Sequence, residues 1–528
     1  MALGEPEVLR KLTMWEFVFL GIGLTVGQGI TVFVPYSISI AGPSAMLLNL
    51  LCLGFVLILI SCMAEMATIF PYMGGTYLNL RYGLWPKTAN FLTWITAWSL
   101  ILLLLGGLGA ECLAFSYYLK VLIPPLDIIP DGALAALLIL LLVGINILGV
   151  KLIGRVQTAL LTFMFIMLIL WGALSIPHTQ MALYQQPFFK SDLSFFSGLA
   201  AFGLIYWAYV GPELMGTMGG EVKYPITTIP KAMFLTVFIV FLVNSWTLAI
   251  ITGLAPSVEL AEMRLGPIAT ATDFAHAGRL AIMAIALSAV IGIHPPTVNA
   301  GLADTSRLIS AAGRDGMVPK WFAKLHPRYK TPVNSLLIVG LVLIAVVLPN
   351  LVEILGATGT IASCIGLIVS FLAVLSLKLR LPDLKRSFKA PLWFPIVGII
   401  IAGLIIMGMG WYIANEAALT MGLSFRMGLL LTVVLGVLFI VLGITIYWVA
   451  IRKTVEEPPS VERIKEEILR VIEPPEEEKE WTELHAPLEA KGEDLKKINR
   501  QYRIGMAICI AGTIAALAFM GYVWFLGS

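Results

Sequence analysis

Two stretches decide how this chain is read: Gly21-Ile22-Gly23-Leu24-Thr25-Val26-Gly27-Gln28-Gly29-Ile30, and, in the sixth predicted helix, Trp207-Ala208-Tyr209-Val210-Gly211-Pro212-Glu213. Each sits inside an apolar run long enough to cross a bilayer, and each is interrupted by glycine or proline. A spanning helix keeps its backbone N–H and C=O groups bonded within itself, so a break survives only where protein or a watery cavity surrounds the freed groups. Breaks at matching places in two successive halves point to an inverted-repeat secondary transporter with its substrate held near the midplane. Glycine notches that let helices pack closely would leave the same residues, so the rest of the chain has to support the reading.

Of 528 residues, 59% are hydrophobic and 13% charged, and the mean hydropathy is +0.91. A bilayer core needs about 20 apolar residues per helix, and such runs recur almost from end to end. The expectation is an all-α polytopic membrane protein with helices near 15–40, 43–70, 88–119, 131–149, 155–176, 194–219, 229–253, 278–311, 331–349, 351–379, 393–413 and 428–451, and a further one near 504–526. The first run lacks a small-residue cleavage site and leads into a second span, so it reads as a membrane helix and not as a removed signal peptide.

Charge placement sets the orientation. With the N-terminus in the cytoplasm, the inner loops receive Arg81, Lys87, Lys151, Arg155 and the basic run from Arg307 to Lys330, whereas outer loops receive few, such as Lys120 and Lys190. The positive-inside rule therefore predicts a cytoplasmic N-terminus with twelve core helices; the expected location is the plasma membrane. A net charge of +3 is too small to imply a nucleic-acid partner. Cys52, Cys62, Cys112, Cys364 and Cys509 lie in or beside apolar runs without CxxC spacing or a His/Cys cluster, which predicts small core residues and no metal site. The chain has no HExxH, GxSxG or Walker loop, so neither an enzyme nor a cofactor is expected.

Residues 452–503 are dense in Glu and Lys and contain Pro458-Pro459 and Pro474-Pro475. They read as a cytoplasmic linker with an amphipathic helix from Val461 to Ile472. The helix in 504–528 could pack on the core, contact a second copy or face lipid; sequence leaves the oligomeric state open.

Several motifs resemble the amino acid-polyamine-organocation (APC) transporter family. Gly21-Ile22-Gly23 with Gly27-Gln28-Gly29-Ile30 is similar to its GIG…GxGI signature. Ala64-Glu65-Met66-Ala67, Phe70-Pro71 and Gly74-Gly75-Thr76-Tyr77 follow the family order, as do Glu221-Val222-Lys223-Tyr224-Pro225 and Ile229-Pro230-Lys231-Ala232. Thr305-Ser306-Arg307 with Ala312-Gly313-Arg314-Asp315-Gly316, and Leu381-Pro382-Asp383-Leu384 through Pro391, resemble its later segments. The resemblance implies a leucine-transporter-type core within residues 1–451, with inverted repeats over about 12–176 and 194–379, peripheral helices in 393–451 and alternating access to one central site. The linker and the last helix fall outside the usual twelve-helix pattern.

Breaking the first helix at Gly27, Gln28 and Gly29 frees N–H groups at a helix start, where a substrate carboxylate is favoured. The resemblance implies that Ile30 belongs to this site, and that the substrate amine lies on Thr25 and on carbonyls near Trp207, Val210 and Gly211. Trp207 also matches an aromatic on which some family antiporters stack substrate, although it could equally be a packing tryptophan. Glu213 corresponds to an acidic position that responds to protons in that branch, with a structural hydrogen bond as the alternative. Glu111 and His294 are the other intramembrane candidates for proton coupling or gating; either could instead satisfy backbone groups at a break. Glu65, Lys223, Arg307 and Asp315 are expected at cytoplasmic helix ends, in a structural or inner-gate role and not in contact with substrate.

Some positions depart from the family pattern. Gln28 brings a bulky amide between the two glycines, and Met164 stands where some proton-coupled relatives carry a lysine. Thr297 and Asn299 offer neutral oxygens but define no sodium site. The leading expectation is thus a secondary-active transporter of an amino acid or close derivative, by proton symport or exchange, whose partners are that small molecule, protons and the bilayer. An exchanger of amines, polyamines or organic cations, and a nutrient receptor on the same fold, are the alternatives.

Overall fold

The computed structural model describes residues 10–262, 267–348, 352–384, 386–421, 425–458, 462 and 489–527. The helices run in order: α1 (Met14–Thr25), α2 (Val34–Ala41), α3 (Ala45–Ile69), α4 (Gly75–Gly83), α5 (Pro86–Leu122), α6 (Asp131–Ile147) and α7 (Val150–Ser175). The next group is α8 (Met181–Tyr184), α9 (Phe195–Trp207), α10 (Pro225–Leu254), α11 (Ser257–Glu262), α12 (Pro267–Phe274), α13 (Arg279–Leu287) and α14 (His294–Arg314). The chain closes with α15 (Val333–Val347), α16 (Val352–Arg380), α17 (Trp393–Met421), α18 (Phe425–Ile446), α19 (Arg452–Thr454) and α20 (Gly492–Gly527). Among the described residues, ten stretches are long and apolar enough to cross a membrane, joined by the shorter apolar helices Met14–Thr25, Asp131–Ile147 and Val333–Val347. The protein is an all-helical polytopic membrane protein.

Both helices that the sequence marks as broken are broken, and they begin alike. Thr13 caps α1 by accepting from the Glu16 N–H, while Glu16 Oε2 accepts from the Thr13 N–H at 2.9 Å. Ser194 and Ser197 form the same reciprocal box at the start of α9, at 3.1 and 2.8 Å. These caps supply acceptors for N–H groups that a helix start leaves unpaired. α1 has 12 residues and α9 has 13, so at about 1.5 Å per residue each stops roughly halfway through a core of about 30 Å. After the first break the chain resumes as a π-turn over Gly29–Phe33 and then α2. After the second it resumes as a tight 3₁₀ segment over Pro212–Glu221.

A third irregularity was not expected. The span predicted as one helix over 278–311 is α13, a π-turn over Ser288–Ile293 and α14, with Pro295 and Pro296 at the start of α14. Neither proline has an N–H to continue the ladder, so the backbone widens before them.

Two apolar assemblies pack around these breaks. The main core includes α1, α3, α9 and α10, and a second cluster joins Leu108 and Cys112 of α5, Leu138 and Leu142 of α6, Leu302 of α14 and Leu343 of α15. α20 begins at Gly492, ahead of the apolar run at 504, and lies along α10. Tyr224 donates to Asp494 at 2.6 Å and Lys231 to Asn499 at 2.6 Å, fixing the inner end of α20. The amphipathic segment Val461 to Ile472 lies outside the described residues, apart from Glu462.

Candidate functional site

The two breaks interlock. A Cβ placed on Gly29 would lie 2.6 Å from the Ala208 Cα, and one on Gly211 would lie 2.6 Å from the Leu24 carbonyl oxygen and 2.7 Å from the Thr25 hydroxyl. Each break thus leans on the other through a glycine. Gly211 also has φ 143°, a region that side chains resist.

A cavity of about 70 Å³ opens beside this crossing. Thr25, Gln28 and Gly29 line it from the first break, and Trp207, Val210, Gly211 and Leu214 from the second. Leu103, Gly107, Leu108 and Glu111 contribute from α5, and Thr297, Gly301 and Asp304 from α14. Glu111 and Asp304 are carboxylates, and no lysine, arginine or histidine lies in this wall.

The carboxylate of Glu111 already occupies the first break. Its Oε1 accepts from the Gln28 N–H at 2.5 Å, and it lies where a Cβ on Gly27 would fall. Its Oε2 is 2.6 Å from Nδ1 of His294, whose ring stacks on Tyr118 at 5.7 Å. A helix start with freed N–H groups attracts a negative charge, and here a side chain of the protein supplies one. The Ile30 N–H turns back on the Gly27 carbonyl at 3.2 Å, so the break retains part of its own bonding.

Other freed groups are satisfied by residues whose role the sequence left open. The Thr297 hydroxyl lies 2.8 Å from the Val26 carbonyl and 2.9 Å from the Ile293 carbonyl, tying the third irregularity to the first break. Asn299 bridges Gln157 and Asn146 at 2.9 Å each, and Gln157 donates to the Pro296 carbonyl at 3.1 Å. Both neutral oxygens are thereby engaged in holding helices together. The Thr25 hydroxyl donates to the Gly21 carbonyl at 2.7 Å.

At the second break, Val210 N–H donates to the Trp207 carbonyl at 3.2 Å. The Trp207 ring meets Phe33 edge-on at 5.6 Å and also lines the cavity, so the packing and lining readings hold together. Glu213 does not line it: its Oε2 accepts from the Gly211 N–H at 2.9 Å, capping the segment it begins. A carboxylate two residues beyond a backbone break is the ordinary means of satisfying that N–H. Gly27, Ile30 and His294 also stand behind the lining and not in it.

Asp304 is the residue that sequence reasoning missed. It is 2% exposed and its Oδ1 has no hydrogen-bond partner. The signal was present, because an acidic residue inside an apolar span is itself a reason to suspect a site. Its position before the Thr305-Ser306-Arg307 motif drew attention to the arginine instead.

Glu65 and Arg307 form buried ion pairs, and Asp315 a partly buried one. Arg307 Nε and Nη2 grip both oxygens of Glu221 at 2.9 Å each. Lys378 Nζ and Arg386 Nε lie 2.6 and 3.3 Å from Glu65. Arg81 Nη1 is 3.2 Å from Asp315. Lys223 is exposed and takes part through its main chain, donating to the Leu12 carbonyl at 2.9 Å.

Comparison with known proteins agrees with this architecture. Residues 12–454 match the model of the family described as amino acid permease. The chain is 24% identical to the branched-chain amino acid permease BcaP of Bacillus subtilis over 85% of its length and 95% of the relative's. It is 25% identical to the methylthioribose transporter of the same organism, with the same coverage. A plant relative, cationic amino acid transporter 3 of Arabidopsis thaliana, is 25% identical over 70% of this chain and 62% of its own. With most of its length matched to the family model and two broken helices around a central cavity, the chain belongs to the amino acid permease family of the APC superfamily.

Proposed function

We propose that this protein is a secondary-active transporter of an amino acid or close derivative, working by alternating access in the plasma membrane with its N-terminus in the cytoplasm. The observation that carries the reading is the Glu111 carboxylate held on the Gln28 N–H at the first break, with His294 behind it. A substrate carboxylate is drawn to the same N–H groups by the same field, so it competes with Glu111 for them. Protonation of Glu111 removes its charge and weakens its hold on Gln28, which opens the donor to the substrate and ties binding to uptake of one proton. His294 is the base within reach that can share this proton. The substrate amine then faces Thr25 and the carbonyl end of α9 near Val210, where the helix dipole favours positive charge. The concentration of basic residues on the loops assigned to the cytoplasm supports the orientation.

The test is uptake of labelled amino acids and amines into proteoliposomes holding the purified full chain, with and without an inward proton gradient, and with and without substrate preloaded inside. Accumulation that needs the gradient supports the coupled reading, and uptake only into preloaded vesicles makes the protein an exchanger. Binding of a panel member without uptake under any condition would overturn transport in favour of a receptor.

A further inference from the structure

We propose that Asp304 is the counter-charge for an alkylammonium group of the substrate, so that the cavity selects cationic amino acids or amines over neutral molecules of the same shape. The inference rests on the transport site proposed above and names the substrate class of that site.

The argument is one of charge balance. Two carboxylates line the cavity, and they are held very differently. Glu111 has an N–H on one oxygen and an imidazole on the other. Asp304 is as deeply buried, yet its Oδ1 has no partner. Arg307 is the basic residue beside it, but its guanidinium is committed to Glu221 through two nitrogens and to the Ala303 carbonyl through the third, at 2.9 Å each. The Thr217 hydroxyl is the hydrogen-bonding neighbour of the Asp304 carboxyl, leaving Oδ1 without a partner, and it also meets the Thr76 hydroxyl at 2.8 Å. Glu213 is a further charged neighbour and carries the same sign. A carboxylate in such surroundings must take up a proton or meet a cation, because an isolated charge is far costlier to bury than a neutral group.

Its position suits the second choice. Asp304 lies on α14 and lines the same cavity as Thr25, Gln28 and Gly211 of the two breaks. The rest of the wall includes Leu103, Leu108, Leu214 and the indole of Trp207. Methylenes of an unbranched side chain fit such a wall, and an indole face tolerates a cation passing over it. The main-chain groups of the two breaks hold one end of the molecule, and Asp304 receives the other.

Lysine, norleucine and cadaverine separate the possibilities: norleucine lacks the terminal ammonium, and cadaverine lacks the carboxylate. Their binding is measured by competition on the purified full chain, and uptake is followed in proteoliposomes. In the wild type, lysine or cadaverine is expected to bind about 10- to 100-fold more tightly than norleucine, the range for a hydrogen bond to a charged group. Asp304→Asn should abolish that preference by bringing lysine and cadaverine down to the affinity of norleucine, and Asp304→Glu should retain part of it. Lysine ahead of cadaverine identifies the ligand as an amino acid, and the reverse identifies a simple amine.

Norleucine binding as well as lysine in the wild type overturns the proposal without reference to any variant. So does an Asp304→Asn chain that keeps its preference for cations, or one that alters only the pH dependence of uptake, which would make the group a proton carrier. Selective binding without uptake would overturn the transport reading and leave the cation site intact. Uptake of neutral amino acids alone would do the opposite.

Discussion

Glu111 on α5 and His294 at the start of α14 meet at 2.6 Å in the membrane interior, with the imidazole 0% exposed and the carboxylate side chain 5%. The pair joins two helices of the second apolar assembly, and through the Gln28 N–H it reaches the first broken helix. A substitution in this pair therefore changes the bonding between α5, α14 and the first broken helix.

Replacing Glu111 with Gln keeps the shape and removes the carboxylate. Gradient-driven accumulation should fall to the level seen without a gradient, while exchange into preloaded vesicles persists. His294→Ala should be more harmful to stability, because it removes one of the carboxylate's hydrogen-bond partners; a buried polar group left unsatisfied costs about 1–3 kcal/mol. Thermal unfolding in detergent, read beside uptake, separates the two effects. Unchanged gradient dependence in Glu111→Gln would remove this residue from the coupling step.

Gly211→Ala and Gly29→Ala test the crossing of the breaks. At Gly211 the new Cβ meets the Leu24 carbonyl and demands a strained backbone, a cost of about 1–3 kcal/mol for the conformation alone. At Gly29 it meets the Ala208 backbone, which has little room to retreat. Both variants should lose nearly all uptake and melt at a lower temperature. Gly144→Ala is the control, since nothing lies within 4 Å of a Cβ there, and it should transport as the parent does.

The breaks are legible in the sequence because a bilayer allows few ways to interrupt a helix, and glycine and proline mark them. What lies against them is not legible in the same way. Gln28 and Glu111 are 83 residues apart, and Glu111 and His294 are 183 apart, so only packing reveals that the three form one chain of contacts. Reading along the sequence offers Glu213 for the proton role through its match to an acidic position of the family; only the folded chain shows that its carboxylate accepts from the N–H of Gly211. Thr297 and Asn299 show the same limit, since a hydroxyl suited to a cation can also donate to a neighbouring backbone carbonyl, and an amide can bridge other side-chain amides. The π-turn before His294 follows from Pro295-Pro296, but hydropathy passes over it because the run stays apolar.

The pair Arg307–Glu221 predicts an asymmetric response to substitution. Both side chains are 1% exposed, and the contact is bidentate. Glu221→Ala leaves a buried guanidinium uncompensated and should cost about 3–5 kcal/mol. Arg307→Lys keeps the charge but cannot reproduce the two parallel bonds, so it should lose less. Replacing both with apolar residues of similar volume should recover much of the stability lost in Glu221→Ala. Melting temperatures of the three variants, measured in one detergent, check the order. Equal losses in Glu221→Ala and the double variant would mean that an unpaired charge is not the source of the cost.

The chain beyond α19 is fastened to the inner end of the core by its main chain. The Glu456 carbonyl accepts from Arg81 at 2.6 Å and from Asn90 at 3.1 Å, and the Glu456 N–H donates to the Asp315 carbonyl at 3.0 Å. Glu456→Pro removes that donor and should loosen the strap by about 1 kcal/mol, seen as faster trypsin cleavage at Lys453. Lys320→Ala should change little, because its contact with Glu456 is 3.6 Å and largely exposed. The strap also has a pH dependence. Burial pushes the Asp315 carboxyl above the ordinary aspartate range, with the Arg81 charge opposing it. A raised pKa in the folded state means that the folded chain holds this proton more firmly than the unfolded chain. The resulting stabilisation is complete below the unfolded aspartate value and is lost as pH rises through the raised one. Asp315→Asn, a neutral stand-in for the protonated carboxyl, should therefore flatten the acid side of the melting-temperature profile. A profile that keeps the slope of the parent would assign the acid dependence to another carboxylate.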